Sequence, residues 1–184
     1  MSNFEFKETE IQGLMIIQLH IFSDIRGDYK KIYEENKYQT HGIVEQFTET
    51  SEIYSHKGVL RGIHYQTKYS RAKLLHVIKG KIFDVAVDLR KDSVTFGKWK
   101  SFVLSENDNV AIYIPQQFAH GFLALEDNTI FSYQSSGLYC PEYCGGILWN
   151  DKDLSIPWPQ LDVDYILSEK DKNNISMKEY AKMI

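Results

Sequence analysis

Three segments of the 184-residue chain hold groups able to move protons at places where the backbone leaves room for a ligand. The first is Leu60-Arg61-Gly62-Ile63-His64-Tyr65-Gln66. On an extended strand His64 and Gln66 share a face with Gly62, so the imidazole points to where a missing Cβ lets another group approach. The second, Ile114-Pro115-Gln116-Gln117-Phe118-Ala119-His120-Gly121-Phe122, is a tight turn that delivers His120 into a strand. The third, Leu167-Ser168-Glu169-Lys170-Asp171, is a polar run opening the terminal segment. Each also has a plain structural reading: a surface histidine, a hydrogen-bonded core histidine and a solvated helix start.

Other chemistries lack their residues. Metal-dependent barrels of short strands draw on two histidines one residue apart, yet Gly62 and Gln66 flank His64 at that spacing, and no His-x-His occurs. Cys140 and Cys144 form a lone C-x3-C pair, short of the second ligand pair of a structural zinc site. No serine sits in a Gly-x-Ser-x-Gly elbow, and Gly145-Gly146 precedes no helical pattern that would cradle a phosphate. Proton transfer by imidazole, phenol, lysine and carboxylate remains, with neither metal nor cofactor.

The elements that must position these groups are short strands. Leu14 to Leu19, Lys73 to Ile78, Lys81 to Leu89, Trp99 to Leu104, Val110 to Ile114, His120 to Leu125 and Thr129 to Ser135 follow one another at roughly 8–12-residue spacing, the rhythm of a sandwich or jelly-roll barrel. Lys79-Gly80 between two runs reads as a hairpin turn. Phe83, Val85, Val87 and Leu89 alternate with Asp84, Ala86 and Asp88, giving one apolar face and one carboxylate face. Helix is scarce. Met177, Tyr180, Ala181 and Ile184 fall at helical spacing behind Ser176 as N-cap, and this helix is expected to cover an open end of the barrel. No linker or repeat divides the chain, so residues 1–184 read as one domain.

Composition narrows the function. With 21 basic and 25 acidic side chains the net charge is −4, so no basic excess favours nucleic acid. The apolar stretches are too short to span a bilayer, and no leader pattern opens the sequence. Two closely spaced cysteines suit a reduced, cytoplasmic setting. The 12 tyrosines suit a cavity that stacks on rings or presents phenols.

The order of the motifs has a further meaning. Val59 to Gln66, Lys73-Leu74, Phe83 to Arg90, Thr95-Phe96-Gly97, Ile114-Pro115, Phe118 to Phe122, Trp149-Asn150-Asp151, Trp158-Pro159 and Leu167-Ser168-x-Lys170-Asp171 resemble, in order from about Phe22 onward, the dTDP-4-dehydrorhamnose 3,5-epimerase family. The resemblance implies a cupin-type jelly roll, usually a homodimer, acting without metal on nucleotide-linked 4-keto-6-deoxy sugars. It implies His64 as base, Asp171 as the carboxylate orienting it, Lys73 as the cation near the sugar's C4 oxygen, and Tyr133 as the acid on the opposite face. This chemistry suits the groups: a C4 ketone acidifies the C3 and C5 hydrogens, and a positioned base contributes roughly 10²–10⁴ in rate. The resemblance further implies a substrate-binding role for His120, phosphate contacts from Arg61, Arg26 and Lys170, and packing of Phe22 near the nucleotide base.

The sequence departs from the family at three binding positions. Glu49-Thr50-Ser51 stands where the family has Gln-x-Asn before a serine, while Lys31 and Cys144 each stand where it has a glutamate. Reaction type therefore carries over better than substrate. Glu49 could accept from guanine where a family glutamine meets thymine, or could pair with Lys31. The polar Arg26 to Ser51 region is expected to be extended, and the resemblance implies that an N-terminal strand joins the partner subunit's sheet and brings base-contacting residues across the interface. The sequence leaves two rivals, a 3,4-ketoisomerase on the same scaffold and a non-catalytic sugar-nucleotide-binding cupin.

Overall fold

The alternating segment around Phe83 is a strand, but both of its faces are buried in the computed structural model, which describes residues 3–184. In chain order the strands are β1 (Phe4–Glu8), β2 (Met15–Leu19), β3 (Ile21–Asp24), β4 (Gly27–Lys30), β5 (Phe47–Ser55), β6 (Leu60–Gln66), β7 (Lys73–Lys79), β8 (Lys81–Asp88), β9 (Trp99–Ser105), β10 (Val110–Ile114), β11 (Phe118–Ala124), β12 (Thr129–Ser136) and β13 (Cys144–Gly146). Short helices α1 (Glu35–Gln39), α2 (Glu169–Lys172) and α3 (Met177–Met183) accompany them. The larger sheet runs β1-β2-β10-β7-β12-β5, the smaller β13-β6-β11-β8-β9, and β3-β4 forms a separate hairpin. This is the expected all-β, cupin-type barrel with short C-terminal helices.

Three apolar layers hold it together. Leu75, Val77, Ile82, Ala86, Ile112, Phe122 and Phe131 from both sheets fill the barrel interior. Phe83, Val85 and Val87 point the other way, out of the smaller sheet, and are covered by Leu154, Ile156, Trp158, Met177 and Tyr180. A third cluster lies around Ile17, Leu74, Tyr113 and Tyr38 of α1. Burying such a side chain contributes roughly 1.5–3 kcal/mol, so each layer holds its elements firmly.

Four expectations change. Lys79-Gly80 is a corner and not a hairpin turn, because β7 pairs with β10 and β12 while β8 pairs with β11 and β9. A strand apolar on both faces takes a central place in its own sheet. The carboxylate face of β8 is turned inward, with Asp84 and Asp88 both 0% exposed. Helix α3 begins at Ser176 with the expected cap, completed by Glu179 as a capping box, yet it covers the outer face of the smaller sheet rather than a barrel end. Tyr180 packs edge-on against Tyr65 there, since that apolar face needs a cover. The region from Arg26 to Ser51 is not extended throughout: α1 interrupts it, anchored by the buried Tyr38. Among the described residues no helix is long and apolar enough to cross a membrane.

Candidate active site

Gly62 and Gly121 set the geometry around His64. Gly62 has φ of +132°, and a Cβ there would lie 2.5 Å from the Gly121 Cα, so the two backbones meet where side chains would normally separate them. Register across β6 and β11 shifts at this point: His120 faces His64, but Phe122 faces Arg61. One extra residue on β6 is a bulge. It places Arg61, three residues before His64, on the cavity wall beside it, where simple alternation would have put Gly62.

The cavity has a volume of about 700 Å³, within the range of small-molecule sites. His64, Lys73, Tyr133, Asp171, Arg61, Lys170, Glu49 and Cys144 all line it. Ser168 caps α2 by accepting from the Asp171 N–H, and the bridge between Val59 and Ile166 lays that segment over the start of β6. Asp171 Oδ1 thereby comes within 2.5 Å of His64 Nε2. Burial pushes the Asp171 carboxyl up, but hydrogen bonds from His64 and the Gly62 N–H outweigh it, so its pKa lies below the ordinary value. The His64 side chain remains 42% exposed toward the cavity while its carboxylate partner is buried.

Lys73 opens β7 and Tyr133 lies on the neighbouring β12, where the Lys73 ammonium stands 5.7 Å from the Tyr133 ring centroid. Burial lowers the Lys73 pKa to about 8, partly offset by Asp84. His120 is buried behind this wall, with Nδ1 3.4 Å from Lys73 Nζ and Nε2 2.6 Å from Asp84 Oδ2. Burial also lowers the His120 pKa. The cavity thus offers an imidazole backed by a carboxylate, a phenol and an ammonium. Arg61 and Lys170, both exposed, enter no ion pair among the described residues and can meet a diphosphate.

The other candidates are engaged locally, at the cavity wall for Glu49 and Cys144 and outside the lining for Phe22, Arg26, Lys31 and Ser51. Glu49 is engaged by Arg71 at 2.9 Å and by the Ser51 hydroxyl at 3.3 Å, not by Lys31. Ser51 itself faces Tyr133 across β5 and β12. Lys31 pairs with Glu34 at 2.7 Å, outside the cavity lining. Phe22 and Arg26 sit on the exposed β3-β4 hairpin, also outside that lining, and Arg26 pairs locally with Asp24. Cys144 donates to the Cys140 carbonyl. The sequence assigns no site role to two residues found here, Asp84 and Arg71. The carboxylate face of β8 was the signal for Asp84; nothing in the spacing pointed to Arg71. Among the described residues no three His, Cys, Asp or Glu side chains are grouped as metal ligands.

A cupin-type barrel whose cavity confronts a histidine–carboxylate pair with a lysine and a phenol holds the groups that proton transfer beside a carbonyl requires, as in isomerases that act on keto sugars. Comparison with known proteins narrows this. The model of the dTDP-4-dehydrorhamnose 3,5-epimerase family matches residues 8–179. The enzyme of that name from Methanothermobacter thermautotrophicus is 43% identical, over 97% of both chains. The crystal structure of the Legionella pneumophila 3,5-epimerase in complex with dTDP-4-keto-L-rhamnose superposes with a TM-score of 0.91 at 36% identity, covering 95% of this chain and 93% of that one. A 3'-monoepimerase from Streptomyces bikiniensis in complex with dTDP-quinovose gives 0.87 at 30% identity, covering 95% and 89%. The chain belongs to the dTDP-4-dehydrorhamnose 3,5-epimerase family and is an epimerase of nucleotide-linked 4-keto-6-deoxy sugars.

Proposed function

We propose that this epimerase inverts both C3 and C5 of a dTDP-linked 4-keto-6-deoxy hexose through an enolate, with no metal taking part. The observation that carries the reading is the His64–Asp171 pair facing the same cavity as Tyr133 and Lys73. His64 removes the proton α to the ketone, and Asp171 supports the imidazolium that forms. Lys73 donates to the C4 oxygen as negative charge builds there, and Tyr133 returns a proton from the opposite face. Arg61 and Lys170 meet the diphosphate, with His120 behind the sugar. Thymine is favoured over guanine because Arg71 already engages the Glu49 carboxylate, and because the relatives above are dTDP-sugar enzymes.

The working unit in this reading is a cytoplasmic homodimer. Ile21, Phe22, Ile25 and Tyr29 on the β3-β4 hairpin are all exposed, Ile25 fully, and the hairpin pairs with neither sheet of its own barrel. A hairpin with that surface suits a partner subunit, to whose cavity it would bring Phe22 and Arg26. Incubation with dTDP- and GDP-linked 4-keto-6-deoxyglucose, followed by product NMR, tests the substrate. Inversion of the dTDP sugar at both carbons supports the reading; a product with the keto group moved to C3 identifies a ketoisomerase, and binding without turnover a non-catalytic cupin. Light scattering decides the assembly, and a fully active monomer contradicts the dimer.

A further inference from the structure

We propose that Asp84 is a positioning residue for the epimerisation: it fixes His120 as a neutral hydrogen-bond acceptor and so holds Lys73 as an ammonium facing the cavity. Asp84 lies on β8, wholly buried, with Oδ2 2.6 Å from His120 Nε2. Its other oxygen, Oδ1, meets no donor among the described residues. Among the described residues His120 is thus the one side chain that hydrogen-bonds a carboxylate for which burial is costly.

The arrangement fixes the tautomer. An ammonium has only N–H donors, so the 3.4 Å approach of Lys73 Nζ requires a lone pair on His120 Nδ1. The proton of a neutral imidazole then sits on Nε2, where Asp84 accepts it. A second proton on His120 would face the Lys73 ammonium directly. Charge balance follows the same line: a half-buried ammonium, a neutral imidazole and a buried carboxylate sum to zero.

The other groups facing Lys73 do not replace Asp84. Arg71 opposes the ammonium form, as burial does, while Cys144 supports it weakly and Tyr133 offers a ring face. His64, across from His120 on β6, disfavours further positive charge at that ring. Without the Asp84 charge, Lys73 loses its proton more readily and can no longer donate fully to a developing oxyanion. This inference rests on the reading of Lys73 as the partner of the C4 oxygen.

Asp84→Asn keeps the shape and removes the charge. In the kcat/KM pH profile, the alkaline limb set by Lys73 is expected to move down by at least about one pH unit, with the loss of rate at least about fivefold greater at pH 8 than at pH 6. NMR titration of the Lys73 side chain in the substrate-free protein is expected to move in parallel, and it reads the lysine whatever the reaction proves to be. An even loss of rate across pH with an unmoved Lys73 titration makes Asp84 merely structural and overturns the proposal. Where the variant does not fold, ¹⁵N NMR of the wild-type imidazoles decides. His120 neutral and protonated on Nε2 at pH 7 supports the proposal; a doubly protonated ring, or the proton on Nδ1, overturns it.

Discussion

Tyr133→Phe separates the two halves of an inversion. The ring packs 6.0 Å from Phe131 and faces the Lys73 ammonium, contacts that phenylalanine keeps. No hydrogen bond holds the Tyr133 hydroxyl among the described residues, so its removal leaves no buried partner unsatisfied, and stability should change by less than about 0.5 kcal/mol. In the proposed mechanism, proton abstraction by His64 on the other side of the sugar and stabilisation of the enolate by Lys73 both remain. The lost group is the acid proposed for the second half-reaction, worth roughly 10²–10⁴ in rate. Solvent deuterium should still enter C3 and C5 at close to the wild-type rate, because the enolate can be reprotonated from the face it came from. Epimer formation should fall by about that 10²–10⁴. Both are read in one ¹H NMR time course in D₂O. Equal loss of exchange and inversion would show that the phenol is needed for enolisation and refute the division of labour.

Three further outcomes follow from the packing at the cavity and at the buried Asp88. Asp171→Asn exchanges the 2.5 Å carboxylate contact of His64 for a neutral amide, and should lower kcat by about 10²–10³ with little change in KM in steady-state kinetics. Gly62→Ala adds a Cβ 2.5 Å from backbone at a φ of +132°, and should cost about 2–4 kcal/mol, seen as a Tm lower by about 5–15 °C. Asp88 is held near a pKa of about 2: burial opposes this, but bonds from Arg90, Ser93 and Thr95 outweigh it. Because the folded value lies below the usual 3.8, this stability is complete above about pH 4 and is lost as pH falls toward about 2. It amounts to about 2 kcal/mol, so Asp88→Asn should unfold at lower urea at neutral pH and lose less further stability on acidification.

Strand identity was legible because period-two patterning is local: β10 was placed to the residue, and most of its neighbours to within one or two. Sheet membership was not legible. The Lys79-Gly80 turn has hairpin chemistry, and only the long-range pairing of β8 with β11 and β9 makes it a corner. The same limit applies at the site. His64, Lys73, Tyr133 and Asp171 were named from family motifs and do converge on one cavity. Alternation failed between Arg61 and His64, since a bulge depends on two glycines from different strands meeting, Gly62 and Gly121. Arg71 escaped notice because its role is set by Glu49, 22 residues away along the chain and adjacent only after β5 and β7 flank β12. Phe22 and Arg26 lie on an exposed hairpin outside their own cavity, a placement that strand patterning within one chain does not specify.

The central claim is that His64 takes a proton from carbon beside the C4 ketone. Deuterium uptake from D₂O into the C3 and C5 positions of dTDP-4-keto-6-deoxyglucose, followed by NMR for the wild-type enzyme and for His64→Ala, tests it most directly. The account predicts label at both carbons together with epimer formation in the wild type, and neither in the variant. Label and inversion that persist in His64→Ala, or wild-type inversion with no solvent deuterium at either carbon, would contradict it.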